Sequence, residues 1–139
     1  MEGHESALVS ETDLSGAYAC GWKEPEMIRV KAADGKTDLW GVVYLPADME
    51  QGKKYPVISH VYPGPQTDLM PKAFAFDDDG NHSMAQMGCV VVNFMHRGSN
   101  PWMGKEFSDY GYGNLRDYPL DDDKAIIEQV AERYGCIDL

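Results

Sequence analysis

Nothing in this sequence approaches the roughly 20 consecutive apolar residues that a membrane-spanning helix needs. The first 25 residues carry Glu2, His4, Glu5 and Glu11 and lack a basic start followed by an apolar run, so they do not read as a secretory signal. Cysteine is scarce. Cys20, Cys89 and Cys136 are odd in number and form no C-x-x-C pair, which leaves a zinc site or a disulfide framework unsupported. Basic charge is short as well: 12 Lys and Arg stand against 23 Asp and Glu, a formal net charge of -11. Such a surface repels phosphate backbones and anionic lipid heads, so neither nucleic acid nor a membrane surface is expected as a partner.

What is present suits one globular domain. The 139 residues are 43% hydrophobic and 11% aromatic, enough to bury a core. Residues 1–25 are a composition outlier, with a short strand expected over Leu8 to Thr12 and a loop from Asp13 to Lys23. Met27 to Lys31 alternates apolar and polar as a half-exposed strand does. Asp34-Gly35 is a hairpin signal, and Leu39 to Leu45 is the returning strand. Pro56 to Tyr62 reads as a third strand, ended by Pro63-Gly64-Pro65. After a long connection, Asn81 is expected to cap a helix over His82 to Met87, stopped by Gly88. Cys89 to Met95 is apolar on both faces, the pattern of a parallel strand covered by helices; Cys89 reads as a small core residue. Pro119 then starts a helix with Asp121, Asp122 and Asp123 in its first turn, where the positive helix end favours them. Leu120, Ile126, Ile127, Val130, Ala131 and Tyr134 form its apolar stripe, Gly135 ends it, and another strand is expected from Cys136 onward.

A complete catalytic site is absent from the chain. There is no G-x-S-x-G, the tight turn that exposes a nucleophilic serine. Ser59 and His60 are adjacent, but neighbours on a strand point to opposite faces and cannot form a dyad; His60 reads as a packed strand residue. Asp77, Asp79 and Asn81 have calcium-loop spacing, yet His82 stands where the loop glycine should be and Gly88 where the bidentate Glu should be. Gly111-Tyr112-Gly113 begins a dinucleotide fingerprint that Arg116 breaks. No metal or cofactor is expected. Two features remain, both at strand ends where ligands of open α/β sheets gather. One is Tyr62, whose hydroxyl is suited to donating to an oxyanion or simply packs at the strand end. The other is Arg97, suited equally to lining a substrate cleft or to tying down the loop that follows.

At these motifs the sequence resembles the prolyl oligopeptidase family of serine peptidases, in its dipeptidyl peptidase IV branch. Val61-Tyr62-Pro63-Gly64-Pro65 is similar to that family's V-Y-x-G-P motif, and Asn93 to Ser99 to its N-x-R-G-S segment. Lys31 to Gly41 is similar to its opening K-x-x-D-G-x-x-L-x-G hairpin, and Tyr112-Gly113-Asn114-Leu115 to the stretch before its second helix. The resemblance spans roughly residues 22–139. It implies a partial α/β-hydrolase fold, the first four strands and two helices of a mostly parallel sheet, stopping before the nucleophile elbow. Residues 1–25 would be the tail of a preceding propeller-like domain plus linker, and 26–139 the N-terminal part of the peptidase domain.

The resemblance also implies chemistry. The parent protein would hydrolyse peptides by acyl transfer. Tyr62 would supply the side-chain half of the oxyanion hole, while the serine, acid and histidine lie outside this chain, which alone should be inactive. Pro63 departs from the glycine or alanine common in relatives. The rival readings are a non-catalytic binding or interaction module and an esterase on the same fold. The compartment stays open, with a periplasmic or secreted parent as the expectation. A third strand lacking its neighbour would leave an apolar edge, which points to aggregation or dimerisation through that edge.

Overall fold

The computed structural model describes residues 7–62, 64 and 69–139. Pro63 and Pro65 of the expected turn, the start of the connection that follows, and the first six residues of the tail lie outside the described residues.

Among the described residues five strands form one sheet: β1 (Glu26–Lys31), β2 (Asp38–Tyr44), β3 (Tyr55–Ser59), β4 (Val90–Phe94) and β5 (Ile137–Asp138), in the spatial order β1-β2-β4-β3-β5. The hairpin β1–β2 runs antiparallel, as does β2 against β4, whereas β3 pairs in parallel with both β4 and β5. Apolar character on both faces of β4 therefore marks a central strand, and all five of its residues are buried.

Two helices cover opposite faces. The longer, α4 (Leu120–Tyr134), packs Ile126 and Val130 onto Ile28, Val30, Leu39, Val43, Val90, Val92 and Phe94. The shorter, α2 (Asn81–Gln86), covers Val42, Tyr44 and Val91 with Ala85. Gly41 makes room on the α4 face: a Cβ there would fall 2.1 Å from the ring of Phe94. The β4–α4 connection is not bare loop. It carries 3-10 turns at Pro101–Met103 and Asp109–Gly111, with α3 (Lys105–Ser108) between them.

Several sequence expectations need correction. Leu8 to Thr12 is not a strand; among the described residues no neighbouring strand pairs with it, and Leu8 and Val9 are exposed. The helix lies instead at α1 (Ser15–Ala19), within the stretch expected to be loop. Asn81 does not cap α2. Gly80 occupies that position, and Asn81 is the first helical residue, fully buried. The cap function falls to Asp77, whose carboxylate accepts from the backbone N–H and hydroxyl of Ser83. Leu120 leaves the apolar stripe and is exposed, because its place at the start of α4 faces away from the sheet. The third strand ends at Ser59, not Tyr62, and its edge is not wholly open: β5 pairs with Tyr55 and Pro56. Among the described residues, Val57 to Ser59 have only β4 beside them.

The N-terminal segment is fastened by aromatics. Trp22 is buried, stacks on Phe76 with centroids 5.8 Å apart, and donates its indole N–H to the Phe76 carbonyl. Its ring also lies 5.1 Å from that of His82. No helix among the described residues is long and apolar enough to cross a membrane.

Candidate functional site at the carboxyl ends of β3 and β4

Parallel strands bring the ends of β3 and β4 to the same edge of the sheet, and both sequence candidates sit there. His60 extends the ladder one residue past β3 through its N–H to the Val92 carbonyl, at 2.8 Å. Tyr62 follows two residues later. Its side chain is 64% exposed, and its hydroxyl has no hydrogen-bond partner among the described residues. A phenol presented this way has its O–H available to an incoming acceptor.

Arg97 begins the loop after β4 and is 9% exposed. Its guanidinium donates from Nε and Nη2 to the two carboxylate oxygens of Asp122, at 2.9 and 2.7 Å, and from Nη1 to Asp34, at 2.9 Å. Its Cζ lies 4.0 Å from the ring centroid of Tyr110. The hydrogen bonds it donates to Asp122 push the guanidinium's pKa further up, so the charge is permanent. With its nitrogens engaged in this way, Arg97 joins the hairpin turn, the post-β4 loop and the start of α4. It also borders a cavity of about 620 Å3 with Trp40, Glu106 and Phe107. The following glycine is required by position. Gly98 has φ of +87°, and a Cβ on it would stand 2.4 Å from the ring of Tyr118.

The aspartates of α4 do more than complement the helix end, the role the sequence reading gave them. Asp122 is completely buried and also accepts from the Ala33 N–H at 3.0 Å. Asp123 accepts from the Ser59 hydroxyl and lies 3.3 Å from His96 Nε2. Burial works to raise the Asp123 carboxyl, but the bonds from His96 and Ser59 outweigh it and hold the group below the ordinary Asp range. Asp34 is held lower still, chiefly by the Thr37 hydroxyl and the Thr37 and Lys36 N–H groups. A readable signal existed for Asp122: it stands four and eight residues before Ile126 and Val130, on the same stripe.

His60 faces α2. Its Nδ1 lies 2.7 Å from Asn81 Oδ1, and its Nε2 lies 3.7 Å from Asp79 Oδ2. Ser59 and His60 thus point to opposite faces, as alternation requires. Among the described residues, no group of three or more His, Cys, Asp or Glu could hold a metal ion. Another cavity, about 730 Å3, lies elsewhere, between α1 and Trp22, Phe74, Phe76 and His82.

Strand order, the α4 and α2 layers and the loop positions define part of an α/β-hydrolase fold. Many solved structures share it. A Bacteroides ovatus protein named as a dipeptidyl aminopeptidase IV superposes with a TM-score of 0.73 at 28% identity, covering 83% of this chain and 16% of that one. The acylaminoacyl peptidase of Pyrococcus horikoshii superposes at 0.64 with 25% identity, covering 91% and 20%. In sequence, the chain is 33% identical to human dipeptidyl peptidase 8 over 116 residues and 32% identical to the mouse protein over the same length. The matches cover 83% of this chain and 13% of each relative, so the chain spans about an eighth of the length of the curated relatives it matches. No family model matches the chain. These likenesses support a place for the chain in the prolyl oligopeptidase family, on its dipeptidyl peptidase IV side.

Proposed function

We propose that the protein containing this chain is a serine peptidase that cleaves peptide bonds by acyl transfer, and that Tyr62 forms the side-chain half of its oxyanion hole. The observation that carries this reading is the exposed Tyr62 at the carboxyl end of β3, its hydroxyl without a partner among the described residues. The peptidase names of the relatives support the reaction class.

In this reading a serine hydroxyl from outside residues 1–139 attacks the peptide carbonyl and passes its proton to a histidine base. The carbonyl oxygen takes up the electron pair and becomes negative. The Tyr62 O–H donates to that oxygen, beside a backbone N–H supplied by the nucleophile's own turn. Collapse of the tetrahedral centre expels the amine, which leaves with the proton from the histidine, and water repeats the sequence on the acyl-enzyme. Arg97 acts through the loop it holds. Residues 1–25 are the end of a preceding domain and its linker, docked on the hydrolase part through Trp22.

The test is Tyr62→Phe in the full-length protein, assayed on an aminoacyl-proline p-nitroanilide. One oxyanion donor is worth about 100- to 1,000-fold in kcat, and that loss is expected with KM and folding little changed. Unchanged turnover would refute the assignment of Tyr62. Cleavage of p-nitrophenyl esters without cleavage of the anilide would move the protein to the esterases, and no covalent labelling by a fluorophosphonate would make it a non-catalytic module.

A further inference from the structure

Tyr62 is only as well placed as the strand end that carries it, and the last two residues before it with side-chain anchors are Ser59 and His60. Their side chains leave the sheet on opposite faces. On the α4 face the Ser59 hydroxyl donates to Asp123, which also receives His96 of the β4 end. On the α2 face His60 Nδ1 meets Asn81 Oδ1 at 2.7 Å. Asn81 is a rigid partner, fully buried at the start of α2. Its carbonyl oxygen can only accept, so the His60 nitrogen facing it carries the proton and the ring's orientation is fixed. Past His60, neither Val61 nor Tyr62 has a hydrogen bond among the described residues.

We propose that Ser59 and His60 are positioning residues for Tyr62, clamping the end of β3 from both faces of the sheet so that the phenol is held at the reacting carbonyl. The inference rests on the oxyanion reading of Tyr62. Neither side chain touches substrate. Each removes a freedom of the strand end, and a donor displaced by about 1 Å can cost about 100-fold in rate. The adjacency that cannot make a Ser–His dyad serves instead to grip one strand from two sides.

The test is a double-mutant cycle in the full-length protein on the same p-nitroanilide. His60→Phe keeps the ring and removes the bond to Asn81. It is expected to lower kcat about tenfold with little change in KM, and Ser59→Ala by less. In a Tyr62→Phe background the same His60→Phe change is expected to have no further effect on kcat, because the group it positions is gone. His60→Asn, which keeps a donor near the Nδ1 position, should recover most of the loss. An equal loss in both backgrounds means a general structural role and overturns the proposal, as does full turnover by His60→Phe. If Tyr62→Phe alone leaves kcat unchanged, the oxyanion reading itself has failed. A loss on Tyr62→Phe with none on His60→Phe retains that reading and removes only the clamp.

Discussion

On the α4 face of the sheet the buried charges Arg97 and Asp122 satisfy one another, whereas on the α2 face Asn81 Nδ2, Asn93 Oδ1 and His82 Nε2 are buried with no hydrogen-bond partner among the described residues. The apolar packing differs in the same sense. The α4 face gathers residues from every strand, from Ile28 to Ile137, while the α2 face rests on Val42, Tyr44, Ala85 and Val91. One face is closed in both senses; the other keeps unspent polar capacity beside the strand end that carries Tyr62. A buried polar atom without a partner costs stability. The clamp on His60 draws on this second face through Asn81.

The contrast breaks most visibly at Arg97. Arg97→Ala leaves Asp122 buried without its countercharge and releases the Asp34 turn, and removing one partner of a buried pair costs about 3–5 kcal/mol. The urea midpoint of the protein is expected to fall accordingly. If it moves by less than a fifth of that, the α4 face is not held by its ion pair. Replacing both partners together, Arg97→Met with Asp122→Leu, should restore much of the loss, because no charge is then left unpaired.

This pair also marks how far the sequence could be read. The β4 run, the hairpin turn and the α4 stripe were legible because hydrophobic period reports burial directly. Arg97 and its loop were located, but its partners were not. Asp34 and Asp122 are far apart in sequence, and the first-turn aspartates had a sufficient local explanation at the helix end. The N-terminal segment is poorly legible for a related reason. Helix α1 has five residues, no side-chain cap bond and no buried residue, so local propensity barely marks it, and the nearest ordered anchor is the docked Trp22. Tyr62 was placed by motif. Its surroundings, Asn81 above all, became visible only when the chain was folded, because a polar residue four before Ala85 gives no sign of which strand it will meet.

On the α2 face the expected effects are smaller. Asn93 donates from Nδ2 to the Leu69 carbonyl at 3.3 Å while its Oδ1 stays unpaired. Asn93→Leu gives up that long bond and removes an unsatisfied acceptor, so the two changes oppose each other and the net is expected within about 1 kcal/mol of zero. A loss comparable to that of Arg97→Ala would erase the distinction between the faces.

The finest probe of the same face is His82. Its ring is wedged between Trp22 and the edge of Tyr44, and burial holds its pKa below the ordinary 6.5, against the pull of Asp77 and Asp78. The unfolded chain therefore binds the proton more readily than the folded one. The stability this contributes is fully present above pH 6.5 and is lost as pH falls from there toward the folded-state value. His82→Phe keeps a ring against Trp22 and Tyr44 and has nothing to titrate. The gap in Tm between the parent and this variant, followed from about pH 8 to about pH 5, should shift against the parent as the solution is acidified. Parallel curves over that range would mean that the imidazole is hydrated or paired in the folded state, and the α2 face would then hold one orphan fewer than its geometry shows.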